Sequence, residues 1–204
     1  MRSLSLLGLL SLAMPLQAAD GLGMTFGNTT NASTGGGVVF VTCHGLPRTE
    51  GGGCDAYRGD TPCAARLPLL CLRVDGRPRP EGLIVPPAAP AAAMPAAFYA
   101  GWAAGHVAAT APLAGIELGS PQQADQICSD AFGDGWRMAE FHDGRVDAAG
   151  GRGGWAWYAY GRLDTSTRYW VRIDDTPANC WDGSDAQRLF VEPAVTPEPA
   201  DGRP

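Results

Sequence analysis

The sequence predicts an α+β domain with one main helix and short antiparallel strands, preceded by a disulfide-rich irregular segment. Three observations carry that expectation. A capped, amphipathic run between Ser120 and Gly133 reads as a helix, and short aromatic and β-branched runs around it read as strands. Four of the six cysteines crowd into a Gly- and Pro-rich stretch that cannot bury much core and needs covalent staples.

Taken in order, the chain opens with Arg2, an apolar run from Leu4 to Leu16, and small residues at Ala18 and Ala19. This is the pattern of a secretory signal peptide over residues 1–19. The run is shorter than the ~20 residues of a membrane-spanning helix, and no later apolar segment is longer, so no transmembrane segment is expected. A secreted or periplasmic location is the expectation, and six cysteines suit such an oxidising compartment. Residues 20–37, mostly Gly, Thr, Asn and Ser, read as a flexible leader. Val38 to Thr42 is a short strand that opens a cysteine-rich segment, residues 38–75, holding Cys43, Cys54, Cys63 and Cys71. Residues 76–97 are largely Pro and Ala and read as a linker or surface-wrapping loop.

The clearest local signals follow. Ser120 and Gln123 form a capping box with Pro121 at the first helical position. Ala124, Ile127, Cys128 and Ala131 repeat at helical spacing, and Gly133 stops the run, so a helix from about Pro121 to Phe132 should present Cys128 to the core. Trp136 to Phe141 and Trp155 to Tyr160 read as strands separated by a Gly-rich loop, Gly144 to Gly154. Tyr169 to Ile173 alternates as a half-buried strand does. Residues 192–204, with Pro193, Pro197, Pro199 and Pro204, read as a disordered tail.

Composition excludes more than it proposes. All 15 basic residues are Arg and there is no Lys, so Schiff-base chemistry and a P-loop are out. With 28 Gly and 17 Pro, this usage points to a GC-rich, bacterial source. The formal net charge is -6 and the arginines are scattered singly, so no nucleic-acid partner is expected.

The helix bearing Cys128, the stretch Gly135, Trp136, Arg137, Met138, Ala139, the strand Trp170, Val171, Arg172, Ile173, Asp174, and the segment Ala178, Asn179, Cys180, Trp181 together resemble the C-type lectin-like fold over about residues 98–191. The resemblance implies a compact, reduced lectin-like domain. It also implies a Cys128 to Cys180 disulfide, leaving Cys43, Cys54, Cys63 and Cys71 to pair among themselves. From the residues alone no pairing is singled out. The family's Glu-Pro-Asn or Gln-Pro-Asp and Trp-Asn-Asp triplets are absent, so calcium-dependent sugar binding by that route is not expected. The chain also looks like exported bacterial proteins, a likeness that lends it no activity.

Candidate site residues fall into four groups. Glu140, His142 and Asp143 form the densest ionisable cluster and join the candidate binding residues; an imidazole beside two carboxylates can bind a metal, or serve a hydrolase as an acid-base pair. Trp155, Trp157, Tyr158 and Tyr160 form an aromatic ribbon, with Trp155 and Trp157 on one face and Tyr158 on the other, that can stack on a sugar or peptide or can simply be core. His106 and His44 are lone histidines, and His106 in its apolar setting reads as a satisfied core residue. Asp174, Asp175, Asn179, Asp182 and Asp185 form an oxygen-rich patch that allows calcium without matching a calcium-loop template, so no cofactor is expected. The function expected is an exported, disulfide-stabilised, non-catalytic binding module for a glycan or protein. A structural envelope protein is the alternative, and a hydrolase using His142 with Glu140 or Asp143 ranks below both.

Overall fold

The structure, a computed structural model, describes residues 21–29, 37–44, 53–83, 100–146, 151–153 and 155–183. The expected signal peptide and tail lie outside the described residues, as does linker beyond Leu83. In chain order the strands are β1 (Leu22–Gly23), β2 (Thr25–Asn28), β3 (Val38–Thr42), β4 (Thr61–Pro62), β5 (Arg66–Leu67), β6 (Leu70–Val74), β7 (Ala100–Ala109) and β8 (Leu113–Ala114). Helix α1 (Pro121–Phe132) comes next, then β9 (Arg137–Met138), β10 (Gly144–Val146), β11 (Gly151–Gly153), β12 (Ala156–Gly161) and β13 (Arg168–Trp170).

This is a mostly β architecture, which corrects the expected α+β lectin-like fold. One curled mixed sheet runs β11-β10-β7-β12-β3-β2-β13 and forms a half-barrel. Its pairings are antiparallel except for β12 on β7. The long β7 takes β10 near Trp102 and β6 along Gly105 to Ala109, and β9 adds to β6. The sheet then curls until its β13 end meets β6. Single bridges join Leu69 to Trp170 and Glu140 to Arg172, and the Trp170 N–H donates to the Pro68 carbonyl at 2.9 Å.

The expectation failed because the strands that build the curl have weak local signals. Thr25 to Asn28, inside the expected flexible leader, is instead a fully buried strand between β3 and β13. β7 is almost all Ala and Gly, a composition poor in β propensity, yet it pairs on both edges. Its glycines are there for space: a Cβ on Gly101 would strike the backbone of Gly144, and one on Gly105 the carbonyl of Arg73. The expected loop Gly144 to Gly154 is in part the β10–β11 hairpin, Gly144 facing Gly153. The cysteine-rich segment and the expected lectin-like segment are one body, since β12 lies between β7 and β3.

Strand alternation sorts side chains into three layers. Inside the curl are Met24, Phe26, Val39, Val41, Leu70, Leu72, Trp157, Ala159 and Tyr169. Outside β6, β9 and β13, Leu69, Cys71, Met138 and Trp170 pack under α1 through Ala124 and Cys128. Outside β3 and β12, Val38, Ala156 and Tyr158 pack with Leu83, which belongs to a strap from Asp75 to Leu83. Trp102 Nε1 and the Tyr160 hydroxyl hold that strap by donating to the carbonyls of Arg77 (2.9 Å) and Pro78 (3.2 Å).

α1 forms as the sequence predicts. Ser120 caps it, its Oγ accepting from the Gln123 N–H at 3.1 Å, Pro121 starts it, and Gly133 ends it with φ near +97°. The Gln123 side chain reaches past the cap to accept from the Gly119 N–H, and Asp125 docks the helix by accepting from the Met138 N–H at 2.9 Å.

All six cysteines are paired, but not as the lectin resemblance implies. The bonds are Cys43–Cys54, Cys63–Cys180 and Cys71–Cys128. Cys128 meets Cys71 rather than Cys180 because α1 packs on β9, whose Met138 sits opposite Cys71 of β6. Cys180 instead lies at the seam with Trp170. A Cβ at either Gly23 or Gly115 would come within 2.5 Å of the Cys180 sulfur and 2.9 Å of the Trp170 ring, so two glycines make room for both.

The seam also buries an ion pair that sequence reading passed over. Arg168 is wholly buried; its guanidinium donates to Thr25 Oγ1 at 2.7 Å, to the carbonyls of Thr25 and Cys43, and to Asp60 Oδ2 at 3.1 Å. Thr25 and Thr61 hydroxyls donate to the other Asp60 oxygen, each at 2.8 Å. Burial pushes the Asp60 carboxyl above its ordinary value, and Arg168 pulls against it.

Candidate functional site

The aromatic ribbon divides. Alternation holds along β12, but the face carrying Trp157 is the interior of the curl, where that indole is fully buried. Tyr158 on the other face stacks on Phe40 at 4.4 Å and is buried as well, its phenol pushed up by burial. Trp157 and Tyr158 therefore leave the candidate binding surface. Trp155, just before β12, is half-buried.

Trp155 has a left-handed backbone, with φ near +60°. For a bulky aromatic residue this is a strained conformation, held only where the surroundings enforce it. Here they do: its carbonyl accepts from the Cys43 N–H at 2.8 Å, and Cys43 is tied to Cys54. The indole stacks on exposed His44 with centroids 5.3 Å apart and planes 8° from parallel. Its other neighbour is buried Phe141, edge-on at 5.4 Å, and Phe141 in turn meets the His142 ring at 5.1 Å.

At the end of this row sit the charged groups. His142 Nδ1 lies 2.9 Å from Glu140 Oε1, and His142 Nε2 lies 3.7 Å from Asp175, which is exposed. Glu140 also accepts from the His142 backbone N–H at 2.6 Å. Asp143 is spent on structure: it pairs with the Arg137 guanidinium through both oxygens and accepts from the Glu140 N–H at 2.6 Å. Burial alone would lower the Arg137 guanidinium, but Asp143, with Asp125 and Glu140, raises it on balance. Burial raises the Asp174 carboxyl, and Glu140 adds to this against the pull of Arg172. The structure thus brings Trp155, His142 and Glu140 together, keeps Asp143 as the brace beneath them, and adds His44, Phe141 and Asp175.

His44 is a lone histidine beside Cys43 in the sequence. Its one signal is register: Thr42 pairs with Ala156, which sets the residues just beyond the two strands opposite each other. The expected oxygen-rich patch is largely internal wiring. Asn179 clamps both backbone groups of Ile173, at 2.9 and 2.8 Å, and bonds Asp182, while Asp174 pairs with Arg172; Asp185 lies outside the described residues. His106 lies on the outer sheet face with Nδ1 3.1 Å from Asp75, and is partly exposed rather than a core histidine. Among the described residues no cluster of three or more His, Cys, Asp or Glu is placed to hold a metal ion, and no helix is long and apolar enough to cross a membrane.

No protein-family model, curated protein or solved structure matches this chain.

Proposed function

We propose that the chain is an exported, disulfide-stabilised, non-catalytic binding module that takes a glycan at His44, Trp155 and His142, with buried Phe141 packed behind them. The observation that carries the reading is Trp155. A half-buried tryptophan held on a left-handed backbone, against a parallel imidazole, carries backbone strain of the kind found at functional sites, while its ring also packs against the interior core. Flat rings suit the apolar face of a sugar, and exposed Asp175 beside His142 offers an acceptor for its hydroxyls. The three disulfides fit an oxidising location, secreted or periplasmic. A purely structural role draws support from the burial of Trp157 and Tyr158 and from the packing of Trp155 against the core, but gives no reason for the strained backbone at Trp155. A hydrolase draws less, because Asp143 is committed to Arg137 and Glu140 to the His142 backbone.

The test is a glycan and surface-protein binding screen on the oxidised mature chain, repeated with Trp155→Ala. Loss of a ring contact worth about 1 kcal/mol, plus its buried area, should weaken binding about tenfold or more. A bound glycan that Trp155→Ala leaves unaffected would end this assignment, and capture of proteins alone would replace the glycan with a protein ligand.

A further inference from the structure

A second site opens at the opposite mouth of the half-barrel, where β7 and β12 end and β13 begins. A cavity of about 400 Å³ lies there, within the range that holds small organic ligands. Its walls include Pro68, Ala109 and Leu163, and Tyr169 stands among them. The loop forming one side is tied down at three points. Asn28 Nδ2 donates to the Leu163 carbonyl at 2.9 Å, the Tyr169 hydroxyl to the Asp164 carbonyl at 2.7 Å, and the Ser166 N–H to Asp164 Oδ1 at 2.7 Å. The cavity is therefore formed before any ligand arrives, which lowers the cost of binding.

Its charged lining is Arg66, Arg162 and Asp164. Arg66 is held in place by Glu117 at 2.9 Å and the Pro112 carbonyl at 3.1 Å. Asp164 turns one oxygen into its own loop, taking both the N–H and the hydroxyl of Ser166. Arg162 has no hydrogen bond or ion pair with any of the described residues. Five donors in a planar fork, at the rim of an apolar cavity, match a carboxylate.

We propose that this mouth binds a small organic carboxylate with an apolar body, the carboxylate on Arg162 and the body against Leu163, Pro68 and Ala109. Arg66 is already paired with Glu117, and the Asp164 carboxylate is the one opposing charge in the lining, which leaves Arg162 to set the preference for an anion. A sugar would find no open ring to stack on, since Tyr169 is only 1% exposed. This site is independent of the ring platform, and either can fail without the other.

Phenylacetate, its neutral amide and phenethylamine form a matched probe set, titrated into the oxidised full chain and followed by NMR shifts. A ligand of about ten non-hydrogen atoms should reach a millimolar Kd. Phenylacetate should bind at least tenfold more tightly than the amide, with shifts on Leu163 and Ala109, and the amine should not bind. Arg162→Gln should cost about tenfold in phenylacetate affinity at unchanged melting temperature, and Arg162→Lys should recover part of it. Absence of saturable binding, equal binding of acid and amide, or full binding by Arg162→Gln would each overturn the proposal.

Discussion

The seam where β13 meets β6 and the row of rings at the start of β12 each rest on a tryptophan, and they hold it in opposite ways. Trp170 is 1% exposed, its indole N–H donates to the Leu113 carbonyl, and glycines on both sides admit its ring and the Cys63–Cys180 bridge. Trp155 is half-buried, strained in its backbone, and stacked on a histidine that is itself exposed. In the seam the indole, its hydrogen bond and the disulfide are all packed away, and the one costly feature, the buried Asp60 charge, is met by Arg168 and two threonine hydroxyls. In the row a left-handed backbone gives up some of that stability, and on the function proposed above it does so to present a binding surface.

Substitutions can break or sharpen this contrast. The largest effect belongs to the seam's ion pair: Arg168→Met strips Asp60 of its buried partner and should cost about 3–5 kcal/mol in denaturant unfolding. A loss below about 1 kcal/mol would mean that the seam is not sealed. Next is Gly115→Ala, whose new methyl has no room beside the Cys180 sulfur and Trp170; about 1–3 kcal/mol of stability should go with it.

A smaller loss is expected at high pH. The Tyr169 phenol is pushed up to about 12, burial being the main cause and Asp164 adding to it. Between pH 10 and about 12 the unfolded chain therefore releases a proton that the folded chain keeps, so stability falls as pH rises through that window. Stability curves run alongside phenolate absorbance should lose this slope in Tyr169→Phe. The least effect on stability is expected from Trp155→Ala, about 1 kcal/mol, because the ring is only half-buried; the left-handed strain stays, since it comes from the Cβ that alanine keeps. A cost as large as that of Arg168→Met would place Trp155 with the seam and remove the reason for calling it a site.

What the sequence made legible was local. The helix could be placed to the residue because its cap, its N1 proline and its terminal glycine all lie within one short window. The face alternation of Trp157 and Tyr158 was equally readable, but which face meets solvent was not, since that depends on a curl assembled from distant strands. β2 and β7 were hidden because Gly, Ala, Thr and Asn are buried there by pairing on both edges, not by their own hydrophobicity. The site was half visible: Glu140, His142 and Trp155 stand out by residue type, whereas His44 joins them only through the β3–β12 register. Arg168 and Asp60, 108 residues apart, gave no sign of each other. The expected lectin-like α+β fold gave way to a curled, mostly β sheet, and the Cys128 to Cys180 pairing that the resemblance implied gave way to Cys71–Cys128 and Cys63–Cys180.

The connectivity of the sulfurs is where the account is most exposed. Cys43–Cys54 fixes the strand end that holds Trp155, and Cys63–Cys180, closing 117 residues, locks the seam. Peptide mapping of the unreduced, mature chain by mass spectrometry should recover three linked pairs, 43 with 54, 63 with 180 and 71 with 128. A peptide joining Cys128 to Cys180 would contradict the half-barrel and the ring platform built on it.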